Sequence, residues 1–254
     1  SVDDRVQVAN YGSGTVAVYA LRPDGGFGDL LGSAAHRGSG PHPRQEGPHA
    51  HSIVPEPDGR SVLAVDLGTD RIVHYVPDRD AGEPGLRAVV ESTMPAGSGP
   101  RHLSFHPTLP LAFVVGELDC TLMVADVDPD TGRLLVRDTL STLPGGSVGA
   151  SLAAEVVVHP RGHRVYVSTR GRDTIATFAV DVGSGEVEPL GHTSSLGRTP
   201  RHIAVDPSGA FLFAANQDSN EIVAFGLDDG VPGAGEVVAE VSRPVCLAFT
   251  EVDR

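Results

Sequence analysis

One unit recurs along almost the whole of this 254-residue chain, and it is built of short strands alone. Residues 99–126 read GPRHLSFHPTLPLAFVVGELDCTLMVAD. The same order returns as GPHAHSIVPEPDGRSVLAVDLGTDRIVHY from Gly47, AAEVVVHPRGHRVYVSTRGRDTIATF from Ala153 and TPRHIAVDPSGAFLFAANQDSNEIVAF from Thr199. Each copy has a polar opening, an alternating apolar run, a turn of the Pro-Asp-Gly or Pro-Ser-Gly kind, a second apolar run, a polar knot and a third apolar run. With His51, His102, Glu155 and His202 taken as equivalent, the steps are 51, 53 and 47 residues. A period in that range, filled by strands, marks a β-propeller, in which each repeat is one sheet that buries its faces against its neighbours. The chain is therefore expected to be all-β, a single propeller domain over residues 1–254.

The units place blades beginning near residues 47, 99, 150 and 197. Ahead of them, VQVANYGSGTVAVYAL matches the second and third runs without a first, giving a partial blade over residues 1–30. The stretch from Ala34 to Glu46 reads as an irregular connection. Behind the units, Arg243 to Thr250 resembles one more first strand, giving a partial blade over residues 242–254. Four complete blades between two partial ones predict a ring truncated at its N-terminus, with sheet edges exposed and open to oligomer formation.

The net charge of −14 argues against nucleic acid or an anionic membrane as partner, since both reward clustered Lys and Arg. A local basic pocket can still hold a small anion. Cys120 and Cys246 lack metal-ligand spacing and no apolar run nears the ~18 residues of a membrane span. The first residues lack the pattern of a signal peptide, so the expected compartment is the cytoplasm. GSGTV and GSGP precede no helix and there is no G-x-S-x-G elbow, so neither a nucleotide cofactor nor a serine nucleophile is expected.

Adjacent strands in a blade are antiparallel, so the start of the first strand and the end of the second share one face of the disc. The first set is His49, His51, Arg101, His102, Glu155, Arg201 and His202; the second includes Glu117, Arg170, Asn216 and Gln217. The position after the second strand holds Tyr11, Leu67, Glu117, Arg170 and Gln217 in turn. Different charged groups in one repeating frame point to a site around the axis, or to polar groups that satisfy the backbone near a channel.

GPHAHS, GPRHL followed by GEL, AAEV followed by STRG, and TPRHIAVDPSGAFLFAANQDSN closely resemble the lactonase family of seven-bladed β-propellers. That family includes propeller-type 6-phosphogluconolactonases and fungal carboxy-cis,cis-muconate lactonising enzymes. The resemblance runs from about Val6 to the C-terminus and implies hydrolysis of 6-phosphogluconolactone in the pentose phosphate pathway, by a carboxylic ester hydrolase with no cofactor. It also implies a catalytic set: His51 in HSIV, Arg101 in GPRH, Glu117 in GEL and Arg170 in TRG. His49, His102, Glu155, Arg201, His202, Asn216 and Gln217 are expected to bind substrate, although Glu155 is equally well read as a buried structural carboxylate. The chemistry suits these residue types. Arginines hold an anion bidentately and stabilise an oxyanion. A water needs a base with a pKa near neutral, which an unperturbed His51 would have and Glu117 would reach by burial. His51 is the expected base, with Glu117 its orienter or alternate. Three other readings stay open: a carboxylated, muconate-type substrate, a metal held by His49-x-His51, and a non-catalytic binding platform.

Overall fold

In the computed structural model, residues 5–57, 61–78, 85–145 and 150–250 are described. They form five antiparallel sheets in chain order, without a helix, so none is long and apolar enough to cross a membrane. The first sheet has three strands, β1 (Arg5–Asn10), β2 (Thr15–Leu21) and β3 (Phe27–Ala35). The second has β4 (Ala50–Pro55), β5 (Val62–Asp66), β6 (Arg71–Asp78) and β7 (Gly85–Thr93). The third has β8 (Pro100–Phe105), β9 (Leu111–Gly116), β10 (Thr121–Val127) and β11 (Leu134–Ser141). The fourth has β12 (Leu152–Val158), β13 (Arg164–Arg170), β14 (Thr174–Val180) and β15 (Val187–Ser194), and the fifth β16 (Pro200–Val205), β17 (Phe211–Asn216), β18 (Glu221–Asp228) and β19 (Val231–Glu240). The first strands β4, β8, β12 and β16 touch in succession, and β1 touches β4. That is the radial order of a propeller.

Apolar faces of neighbouring sheets meet in four clusters. Phe113, Leu122 and Val124 pack on Val165, Val167 and Phe178; Leu63 and Ile72 pack on Val114 and Met123; Tyr166 and Ile175 pack on Leu212 and Phe225; Val16 packs on Val62 and Tyr75. Because a central strand has a sheet on each side, β5 and β9 are buried along their whole length. The outer strands are not: β15 alternates little and is mostly exposed.

Three sequence expectations change. Each complete sheet has a fourth strand that the three-run unit omits, because an outer strand such as β11 or β15 carries too little apolar patterning to stand out. Phe27 to Ala35, which starts inside the expected partial blade and runs five residues past its end at residue 30, is the outer strand of the first sheet. Residues 241–250 form no strand, since no neighbouring strand takes their backbone hydrogen bonds, although Phe249 packs on Phe213 with ring centroids 5.5 Å apart. Residues 1–4, the Asp58-Gly59 turn and residues 251–254 of the expected closing blade lie outside the described residues.

Candidate active site

The first strand of each complete blade opens with a β-bulge, and the bulge supplies the site. Ala50 pairs with Asp66, Pro100 with Gly116 and Pro200 with Asn216, while the following residues, His51, Arg101 and Arg201, drop out of the ladder. In β12 the same irregularity spans Ala154 and Glu155. A bulge sets two residues against one and re-aims a side chain. His51 is therefore the counterpart of Arg101 and Arg201, and Ser52 that of His102, Glu155 and His202, which corrects the expected alignment. The spacing to the residue after the second strand is then 15 in each of the four complete blades (67 − 52, 117 − 102, 170 − 155, 217 − 202).

A pocket of about 690 Å³ opens on this face, lined by Tyr11, Arg44, His51, Glu117, Leu152, Arg170 and Arg201. Glu117, buried at its floor, gathers three guanidiniums. Arg44 Nη1 donates to Oε1 at 2.6 Å, and Oε2 lies 3.1 Å from Arg101 Nε and 2.9 Å from Arg170 Nη2. Arg101 also donates to the Ala154 carbonyl (2.6 Å) and Arg170 to that of Ala153 (2.9 Å), so both are fixed from the next blade or their own. Burial by itself opposes ionisation of Glu117, but Arg170, Arg44 and Arg101 outweigh it and hold the carboxyl below its usual range. Glu117 is thus held as a carboxylate by three guanidiniums, where burial alone would have raised its pKa towards that of a base. Its carboxylate contacts arginines and not His51. Burial lowers the Arg101 pKa to about 10, against the opposing pull of Glu155.

His51 lines the pocket wall, its ring 5.4 Å from that of Tyr11 and 5.2 Å from that of His102, both edge-on. Its Nδ1 is buried without a partner. Burial, then Arg101, His102, Arg201 and Arg170, push its pKa down to about 2. The near-neutral pKa expected of His51 does not hold, because a ring in a cationic, desolvated site resists a further positive charge. Arg201 faces the same pocket with no hydrogen bond or ion pair to its guanidinium among the described residues.

The other expected residues divide. His102 Nδ1 lies 2.8 Å from Glu155 Oε1, and His202 Nε2 3.3 Å from Oε2. Burial opposes the charge of Glu155, but His102 and His202 hold its pKa down. These three form a second polar layer beside the pocket. His49 stacks on Tyr11 (4.5 Å, 15°) and its Nδ1 meets the Tyr11 carbonyl at 3.0 Å. Among the described residues, no three His, Cys, Asp or Glu side chains gather as a metal would need. Asn216 lies away from the pocket: it is fully buried and donates to the Ser195 carbonyl beneath the 195–199 turn. Gln217 donates its backbone N–H to Thr199, and its Oε1 is buried without a partner.

Arg44 and Tyr11 were missing from the expected set. Arg44 comes from the irregular stretch that no repeat predicts, and that stretch is pinned by Gln45, whose Nε2 donates to the Leu67 carbonyl (2.8 Å) and Asp70 Oδ1 (2.7 Å). A buried Gln beside an Arg in a long connection carries no periodic signal. Tyr11 could have been found, since it occupies the same repeat position as Glu117.

Residues 2–249 match the family described as lactonase, 7-bladed beta-propeller. The chain is 35% identical over 255 residues to the 6-phosphogluconolactonase of Bacillus subtilis, covering 98% of this chain and 72% of that protein. It is 33% identical to a probable 6-phosphogluconolactonase of Arthroderma benhamiae, of which it spans 64%. Among solved structures, a Lactobacillus plantarum protein superposes with a TM-score of 0.91 at 33% identity, over 98% of this chain and 72% of that one. A periplasmic gluconolactonase of Pseudomonas aeruginosa superposes with a TM-score of 0.89 at 34% identity, over 98% and 71%.

Proposed function

The chain belongs to the lactonase family of seven-bladed β-propellers, and from that premise we propose that it hydrolyses 6-phosphoglucono-1,5-lactone to 6-phosphogluconate, the lactone-opening step of the pentose phosphate pathway. One observation carries the reading. On a chain of net charge −14, the pocket is lined by Arg44, Arg170 and Arg201, with Arg101 against Glu117 behind them, and Glu117 is the one carboxylate among its described lining residues. Such a site selects a small anion.

The division of labour follows from the pairing. Arg201, with no carboxylate of its own, takes the phosphate. Arg101 and Arg170, held rigid by Glu117 and two backbone carbonyls, face the carbonyl oxygen that gains charge when water adds. Donors already fixed there stabilise that charge without reorganising. His51 stays a neutral ring against the lactone. Water adds to the carbonyl carbon, the ring C–O bond breaks, and the freed oxygen takes a proton.

The proposed partner is this small anion; the net charge of −14 disfavours nucleic acid or an anionic membrane. We assign the protein to the cytoplasm, on the strength of two free thiols, Cys120 and Cys246; cell fractionation checks this, a periplasmic pool overturning it.

The test is base uptake near neutral pH with fresh 6-phosphoglucono-1,5-lactone. A catalysed rate that falls by about 10²-fold or more in Arg101→Ala is expected. Extensive chelation leaves the rate unchanged; loss of activity that returns with a divalent metal would favour the His49-x-His51 metal site. A folded protein that shows only the spontaneous rate overturns the reading.

A further inference from the structure

The reaction needs a base for the water, and the pocket's own imidazole is poorly made for it. His51 has no carboxylate partner and faces Arg101, Arg170, Arg201 and His102. One residue away in the bulge frame, on the neighbouring blade, stands an imidazole in the opposite situation. His102 on β8 meets Glu155 from β12, with His202 from β16 on the far side of that carboxylate and His51 from β4 edge-on at 5.2 Å.

The tautomers follow from the hydrogen bonds. Glu155 is a carboxylate and can only accept, so His102 Nδ1 carries the proton and donates to Oε1 at 2.8 Å. With that proton on Nδ1, the lone pair is on Nε2, which has no hydrogen-bond partner among the described residues, on a side chain 25% exposed. His202 is different. The Leu247 N–H donates to its Nδ1 at 3.3 Å, so its proton sits on Nε2, which lies 3.3 Å from Glu155 Oε2 and 3.9 Å from Cys246 Sγ. His202 therefore supports the carboxylate and offers no free lone pair. Glu155 is itself held by its position in a buried strand, with its backbone N–H donating to Ser168 Oγ.

We infer that His102, oriented by Glu155 of the adjacent blade, is the base that takes the proton of the attacking water; this rests on the lactonase reading above. A carboxylate on one imidazole nitrogen fixes the tautomer, aims the other nitrogen and stabilises the imidazolium that forms. The water oxygen bonds to the lactone carbonyl carbon as its proton passes to His102 Nε2. When the tetrahedral adduct collapses, the ring C–O bond breaks and the imidazolium returns that proton to the departing ring oxygen. Two blades thus supply one dyad, and His51 is a wall of the pocket against which the water and lactone are packed.

The experiment compares His102→Ala, His102→Gln, Glu155→Gln and His51→Ala on 6-phosphoglucono-1,5-lactone, with and without added imidazole. Loss of a general base lowers kcat by about 10²–10⁴-fold. The expected result is that loss in both His102 variants, a smaller one in Glu155→Gln, and partial rescue of His102→Ala by imidazole, which a merely structural role would not give. If His102→Ala does not fold, the kcat of His102→Gln decides. Wild-type kcat in a His102 variant, or imidazole rescue of His51→Ala in place of His102→Ala, overturns the dyad alone. A wild-type chain without catalysis overturns the lactonase reading, and the dyad with it.

Discussion

Glu117 and His51 show how far single residues depend on their surroundings. Arg101 is buried and Arg170 is largely so, its side chain 12% exposed, and Glu117 is the buried carboxylate that both contact. Removing one partner of a buried pair leaves an uncompensated charge, so Glu117→Gln is expected to destabilise the protein by about 3–5 kcal/mol. Arg44 reaches the same carboxylate from a side chain 41% exposed, where water competes, and Arg44→Ala should cost about 1 kcal/mol or less. Denaturant midpoints check the contrast; equal effects would show that the deeper arginines do not lean on Glu117. His51 has a pH signature. Burial and the surrounding arginines hold its pKa far below the usual imidazole range, so it is not expected to take up a proton near neutral pH. The acid limb of kcat/KM, which reports the free enzyme, should keep its position in His51→Gln. A limb that disappears in that variant would mean that His51 titrates there. At this scale the sequence displayed the charged residues of the repeat frame, but not their pKa values, because desolvation and neighbouring guanidiniums belong to the assembled pocket. Arg44 was invisible for a related reason: it enters from a stretch with no period.

At the level of strands and turns, two histidines outside the site tie blade to blade on the turns opposite the bulges. His106 Nδ1 accepts the backbone N–H groups of Thr108 and Leu109, so its Nε2–H donates to the Gly162 carbonyl at 3.0 Å. His159 does the same from Nε2 to Gly209 at 3.0 Å. A Cβ on Gly162, whose φ is +79°, would sit 2.5 Å from His106 Nε2, so this close approach requires glycine. His106→Ala should cost about 1–3 kcal/mol by leaving a buried carbonyl unpaired. The pH dependence has a definite sign. Burial first, against the Gly162 bond, lowers the His106 pKa from 6.5. Below 6.5 the unfolded chain therefore binds more protons at this site than the folded one, and stability falls as pH falls through that value. Melting temperature against pH checks both points: His106→Ala should be less stable at neutral pH and should lose part of the acid sensitivity, and an unchanged slope would remove the histidine from that role. The first and second strands were legible through their alternation. The fourth strands were not, since an exposed edge needs little apolar patterning, and the bulges were not, since counting residues cannot show which one leaves the ladder.

For the whole molecule, the outstanding physical feature is the apolar surface of the fifth sheet and the segment after it: Phe211, Val237, Val238, Val245 and Phe249 are each more than 40% exposed. Apolar sheet faces and free strand edges favour pairing with another copy. Concentration-dependent association is expected in sedimentation velocity, and a monodisperse monomer across a wide concentration range would refute it. The repeat in the sequence determined the all-β propeller, the radial succession of blades and the face on which charged residues collect, because strand period and turn residues are local properties that recur with the chain. Only the tertiary structure decided which of those residues face one another: that Glu117 binds three arginines, that His51 is stripped of basicity, and that His102 meets Glu155 across a blade boundary. Those are contacts between residues tens of positions apart, set by the angle between neighbouring sheets and by water excluded from between them, and no local pattern encodes either.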